Sequence, residues 1–216
     1  DKGSVGDELG IKQGDELVAF DGHKVVDILD YDFYNESECF VMTIVRGSDE
    51  TEFDIEKDSD EDLGLTFDAE LSVRVCRNKC IFCFVDQLPK RELRKSLHVK
   101  DDDYRYSFIS GSYVTLTNVS DEDLERIVRL KLSPLYISIH TSDNELRRKM
   151  LGNPKAPDIM KQLKFLHDGG IKIHAQIVYC PGINEDVAQT AIDTAPYCES
   201  LAVVPVGLTK DCNTAL

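Results

Sequence analysis

The sequence predicts an α/β chain in two unequal parts: a mainly β region over residues 1–57 and a larger region of alternating strands and helices from Ala69 onward. Three observations carry this prediction. Short apolar runs separated by glycine-marked turns fill the first part. An acidic stretch over residues 58–68, with Asp58, Asp60, Glu61, Asp62 and Gly64, suits a linker. Beyond it, apolar strands alternate with segments of helical period, the pattern of parallel βα units.

In the first part, Ser4 to Leu9 predicts a short helical turn ending at Gly10, where a left-handed residue is tolerated. Gly14-Asp15 leads into the strand Leu17-Val18-Ala19-Phe20, and Asp21-Gly22 is a hairpin signal. Val41, Thr43 and Val45 alternate with Met42, Ile44 and Arg46, and after Gly47 a second strand runs through Glu52 to Ile55. In the second part the candidate strands are 70–75, 112–117, 134–140, 171–179 and 200–206. Ser120 stands three residues before Asp123 as a capping box, with Leu124, Ile127 and Val128 forming one apolar face. Pro157 fits a first helical turn, Ile159, Leu163 and Leu166 repeat at helical spacing, and Gly169-Gly170 fits that helix's end.

Composition narrows the function. Forty acidic against 25 basic side chains, a formal charge of −15, disfavour a broad nucleic-acid-binding face. The densest basic cluster, Lys90, Arg91, Arg94 and Lys95, reads as a solvated helix face. Neither a Walker loop nor a Gly-x-Gly-x-x-Gly fingerprint is present, so nucleotide readings lack their phosphate loop. Seven cysteines in no disulfide framework indicate a reducing compartment, and the reading is cytoplasmic. No apolar run reaches membrane-spanning length and no segment resembles a signal peptide, so no membrane partner is expected.

The chemistry concentrates in Cys76-Arg77-Asn78-Lys79-Cys80-Ile81-Phe82-Cys83, three thiols within eight residues. A four-iron cube normally takes four thiolates, so a group of three implies one iron open to another ligand. Zinc fits poorly because no second Cys or His pair lies nearby, and three incidental buried thiols are the plain alternative. Cys39, Cys198 and Cys212 have no local partners. Asp101, Asp102 and Asp103 read either as a hard-cation site or, more simply, as a solvated or salt-bridged loop.

The spacing, with Phe82 before the third cysteine, resembles the signature of the radical S-adenosylmethionine (radical SAM) superfamily. The resemblance extends through Phe84-Val85-Asp86-Gln87-Leu88-Pro89, Lys100 to Arg105, Thr115-Leu116-Thr117-Asn118, Ser133-Pro134-Leu135-Tyr136 and Val204 to Thr209. It points to the bacterial subfamily with an N-terminal PDZ-like domain and an unassigned substrate. The resemblance implies a partial (β/α) barrel with about five of six strands in residues 69–216, preceded by an incomplete PDZ-like domain in 1–57. The chain is expected to be truncated at both ends.

By the same resemblance Cys76, Cys80 and Cys83 ligate a [4Fe–4S] cluster, S-adenosylmethionine (SAM) chelates the open iron, and a 5′-deoxyadenosyl radical abstracts hydrogen from an unidentified substrate. Flavodoxin or ferredoxin is the type of electron donor implied, and the PDZ-like part is a docking site for a protein partner. Phe82, Thr117, Asn118 and Ser138 are the candidate cofactor-binding residues. Thr117 and Asn118 stand where relatives commonly carry Gly-Gly-Glu, and Asn118 reads equally as a turn residue. His140 and Cys180 are the candidate acid–base group and reactive thiol, each set against ordinary structural burial. A PDZ-type interaction protein with a structural metal site, or an inactive truncated relative, are the other readings.

Overall fold

A computed structural model describes residues 1–68, 71–89 and 93–209. The chain divides into two compact units, Asp1–Ser72 and Val73–Leu216.

The first unit contains helices α1 (Val5–Glu8) and α2 (Ile28–Asn35) and strands β1 (Glu16–Phe20), β2 (His23–Lys24), β3 (Cys39–Arg46) and β4 (Asp49–Glu56). The strands form an antiparallel sheet in the order β2-β1-β3-β4. Asp21 and Gly22 turn the first hairpin with φ of 49° and 73°, the two left-handed residues that a type I′ turn needs. Helix α2 escaped the sequence reading, although Asp27 and Asp30 form a reciprocal capping box at its start. It buries Leu29, Tyr31 and Tyr34, and the Tyr34 ring stacks on Phe20 at 4.5 Å. The acidic stretch 58–68 lies within this unit. Leu63 there is fully buried, its N–H donates to Asn35 Oδ1 and its carbonyl accepts from Gly6 N–H.

The second unit is α/β. Strands β5 (Leu135–Ser138), β6 (Ile173–Tyr179) and β7 (Ser200–Pro205) form a parallel sheet in that order. Helices α3 (Tyr104–Ser110), α4 (Asp121–Arg129), α5 (Asn144–Leu151), α6 (Ile159–Asp168) and α7 (Val187–Thr194) are interspersed. Side chains alternate along the strands. Leu135, Ile137, Ile139, Ile173, Ala175 and Ile177 are all fully buried, whereas Tyr136, His174 and Gln176 on the opposite face are only half-buried. Helices α4, α5 and α6 add Ile127, Met150, Leu151, Ile159 and Leu163 to this core.

Three expectations need correction. Segment 112–117 contributes a single parallel bridge, Val114 to Ile137. The ladder stops because the Thr115 N–H goes to the Asp102 carboxylate and Leu116 turns left-handed at φ 56°. Of segment 70–75, Glu70 lies outside the described residues, and the rest forms no strand. Val75 meets Asp101 in an isolated antiparallel bridge because Arg74 and Cys76 pair their backbones with Asp102 and Lys100. Pro157 precedes its helix rather than entering the first turn, since Asp158 is the cap and accepts from Met160 and Lys161 N–H.

The Ser120–Asp123 capping box of α4 is present as expected. Lys90, Arg91 and Cys212 lie outside the described residues; Arg94 and Lys95 are exposed. Among the described residues no helix is long and apolar enough to cross a membrane.

Candidate functional site

The run from Cys76 to Cys83 forms neither helix nor strand, so its backbone must find partners elsewhere. Cys76 N–H donates to Lys100 C=O, Lys79 N–H to Leu151 C=O, Ile81 N–H to Met150 C=O and Cys83 N–H to Cys80 C=O. The Met150 and Leu151 carbonyls end helix α5, where the last carbonyls lack intrahelical partners. The cysteine loop therefore closes the end of α5. Gly152 makes this approach possible: its φ is 55°, and a Cβ there would stand 2.3 Å from the Lys79 carbonyl oxygen.

A polar network holds the loop from within. Asn78, between the first two cysteines, is buried. Its Nδ2 donates to Thr115 Oγ1 at 2.9 Å, and its Oδ1 accepts from Asn153 Nδ2 at 2.8 Å and lies 3.0 Å from Thr117 Oγ1. The buried Asp102 carboxylate accepts from Thr115 N–H and Thr115 Oγ1, each at 2.6 Å, and lies 3.0 Å from Thr117 Oγ1. Asp103 turns elsewhere, to Arg74 N–H and the Arg105 guanidinium. Burial opposes its charge, yet these donors keep its carboxyl below the usual range. Asp101 is exposed. The three carboxylates thus diverge, and the hard-cation reading of this loop gives way to an anchoring and salt-bridged one.

Charge around the loop is unbalanced. Burial first, then the neighbouring Cys76 and Cys83, push the Cys80 thiol up to about 12. Burial also raises Cys76, with Asp102 adding to it. Lys100 is pulled down by burial but raised overall by Asp86 and Cys83, and its Nζ pairs with Asp86 Oδ2 at 2.5 Å. Arg147 of α5 lies fully buried below, with Nε donating to Ile139 C=O at 3.0 Å and Nη2 to Thr115 C=O at 2.7 Å.

The remaining candidates gather at the same end of the sheet. His140 follows β5 in a left-handed conformation, φ 70°, with its ring 4.6 Å from that of Phe82. Burial, then Arg147, lower His140 to about 3, so the imidazole is neutral. Its Nδ1 accepts from Val178 N–H, which leaves the proton on Nε2. Asn184 ties the neighbouring turns together: Nδ2 donates to the carbonyls of His140 and Val178, and Oδ1 accepts from Cys180 N–H. Cys180 is fully buried and its thiol is raised by burial, the structural side of its two readings. Ser138 is buried, and among the described residues its hydroxyl makes no hydrogen bond. Thr117 Oγ1 is engaged by the network, while Asn118 sits in a turn with its Oδ1 buried and without a partner among the described residues.

Downstream of the third cysteine, Gln87 joins two distant motifs. Its Nε2 donates to Gly207 C=O, its Oε1 accepts from Thr209 N–H and its carbonyl accepts from Thr209 Oγ1. Sequence reasoning missed Asn78, Arg147, Gly152 and Asn184 as parts of the site, and it singled out Asp102 and Thr115 only as members of motif segments, without their mutual bond. Of the four missed residues only Asn78 carried a signal, its place between two cysteines. Cys39 and Cys198 are free thiols outside this cluster.

Fold and site together define an α/β protein with a three-cysteine loop closing the C-terminal end of a parallel sheet. The chain belongs to the Radical SAM-like domain family, whose model matches residues 57–203. The radical SAM family at large typically uses a [4Fe–4S] cluster and SAM. No curated protein and no solved structure matches the chain.

Proposed function

We propose that the second unit is the core of a radical SAM enzyme, in the manner of a partial (β/α) barrel, in which Cys76, Cys80 and Cys83 ligate a [4Fe–4S] cluster with one iron left for SAM. The observation that carries this reading is the loop itself. Its three thiols are tied to fixed backbone partners and lie close enough that Cys76 and Cys83 both act on Cys80. The donor set fits: three sulfur ligands and a fourth position left to another molecule. Among the described residues no three His, Cys, Asp or Glu side chains converge to hold a single metal ion. A four-iron cube spaces its thiolates more widely than one ion does. Burial pushes the Cys80 thiol up to about 12, so a metal cation bound there would have to displace its proton.

When bound, the cluster supplies the electron that breaks a C–S bond of SAM, giving a 5′-deoxyadenosyl radical that takes hydrogen from the substrate. The chain's own residues position and enclose. The unpartnered Asn118 Oδ1 and the Ser138 hydroxyl are acceptors for the amino group and ribose of SAM. Phe82, against His140, shields the loop from water. Thr117 acts indirectly by holding Asn78, and His140, neutral and donating to no carboxylate, serves structure rather than proton transfer. The first unit, an antiparallel sheet with α2 inserted between β2 and β3, is read as a PDZ-like docking module. The chain's free thiols, Cys39, Cys180 and Cys198 among them, suit a reducing cytoplasm.

Anaerobic reconstitution should load four irons and four sulfides, SAM should shift the electron paramagnetic resonance (EPR) spectrum of the reduced cluster, and 5′-deoxyadenosine should appear slowly without substrate. Replacing Cys76, Cys80 and Cys83 together by Ala should abolish loading. Wild-type iron content in that triple variant would sink the assignment, and a spectrum indifferent to saturating SAM would favour a structural metal site.

A further inference from the structure

We propose that Arg147 is the built-in counter-charge of the cysteine loop, a positioning residue that makes a cluster held there easier to reduce. This rests on the iron–sulfur reading above. Arg147 is only 1% exposed, and so large a buried cation is retained for a reason beyond packing. Two of its nitrogens are satisfied by the Ile139 and Thr115 carbonyls, but Nη1 has no partner among the described residues. Buried guanidinium donors are seldom left alone. No carboxylate reaches salt-bridge distance of it among the described residues, so its charge is uncompensated by pairing.

Placement says what that charge is for. The two carbonyls it holds belong to Thr115 and Ile139, each one residue before a left-handed residue, Leu116 and His140, where the chain leaves the sheet. Three and four residues after Arg147 on the same helix, Met150 and Leu151 accept the N–H groups on either side of Cys80. One helix thus grips the loop and delivers a cation beneath it. The anions that act most on Arg147 are Asp102 and Cys80, both part of this neighbourhood.

Negative charge accumulates here from three thiolates, the buried Asp102 and the C-terminal end of α5, which carries the negative pole of the helix. Adding an electron to a cluster in that setting is opposed by each of them. Lys100 faces Cys83 but divides its charge with the Asp86 carboxylate, and Arg77 and Lys79 of the loop are exposed. Among the described residues around the loop Arg147 is therefore the buried cation that offsets the added electron, and in a low-dielectric site its effect is little screened.

The test is an EPR-monitored redox titration of reconstituted full chain. Arg147→Gln should still bind iron and sulfide but show about a tenfold lower ratio of reduced to oxidised cluster at a fixed potential, about 59 mV for one electron. Arg147→Lys, which keeps the charge and gives up the planar fork, should stay within about twofold of wild type. An unchanged midpoint in loaded Arg147→Gln overturns the inference while leaving the cluster reading intact. If Arg147→Gln does not fold, Arg147→Lys decides: a midpoint near wild type supports charge compensation, and a tenfold drop overturns it. Wild-type chain that takes up no cluster would instead be a failure of the iron–sulfur reading.

Discussion

Asp30 in the first unit and Asp102 in the second are both buried carboxylates, yet they are held in opposite ways. Asp30 accepts from Val26 and Asp27, four and three residues before it, and closes the cap of its own helix. Asp102 accepts from Thr115, 13 residues away, and reaches through Thr117 to a network that spans from Asn78 to Asn153. The first unit is a sheet whose polar groups serve turns, caps and a few single links, such as Asn35 to Leu63, around an apolar core. The second places a polar cluster under its cysteine loop and relies on it for shape.

The largest contrast is expected on deleting these carboxylates. Asp102→Ala leaves the half-buried Thr115 N–H and hydroxyl donors without their acceptor, which costs about 2–4 kcal/mol. Asp30→Ala removes one half of a capping box and costs about 1–2 kcal/mol. Urea unfolding gives both values, and only Asp102→Ala should also reduce iron loading. Equal effects on loading would break the distinction between the units.

Two left-handed glycines sharpen it. Gly47, φ 65°, turns the β3–β4 hairpin with open space around its missing Cβ, so Gly47→Ala costs about 1 kcal/mol from backbone strain alone. Gly152→Ala adds a backbone clash with Lys79 and should cost about 2–4 kcal/mol while displacing the loop. Cysteine alkylation read by mass spectrometry should be faster in Gly152→Ala than in Gly47→Ala, since only the former loosens the loop.

The smallest effect concerns two arginine-paired aspartates, each lowered to about 2. Asp15 is held down chiefly by its hydrogen bond to Arg46, while Asp123 is held down by Arg74 and Ser120 against the opposing pull of burial. Both folded-state values lie below the ordinary 3.8, so each contributes stability above about 3.8 that is lost as pH falls through about 2. Arg46 is 55% exposed and Arg74 28%, so salt screens the first pair more. In a carbon-13 carboxyl titration, 0.5 M salt, roughly a 4 Å Debye length, should move Asp15 toward 3.8 further than Asp123. The reverse order would show that burial does not protect the second pair.

The same contrast explains what the sequence made legible. Hairpins at Asp21-Gly22 and Gly47 and the Ser120–Asp123 cap are local patterns, and the chain folds as they read. The strands expected at 70–75 and 112–117 were not, because apolar content there is overruled by the Asp102 and Asp103 carboxylates, which take the Thr115 and Arg74 N–H groups a ladder would need. Thr117 looked like a free acceptor because nothing nearby in the chain announces Asn78 as its partner, 39 residues earlier. Periodicity reports which face a residue takes, not which distant side chain meets it there.

The Gln87 clamp sets an order of events during synthesis. It links residue 87 to Gly207 and Thr209, contacts separated by 120 and 122 positions. A ribosome has already released the cysteines long before the segment that fixes their downstream flank emerges, and such long-range closure is slow. The flank downstream of the loop is thus fixed only after β7 is made, and under the cluster reading proposed above metal insertion follows translation of this unit.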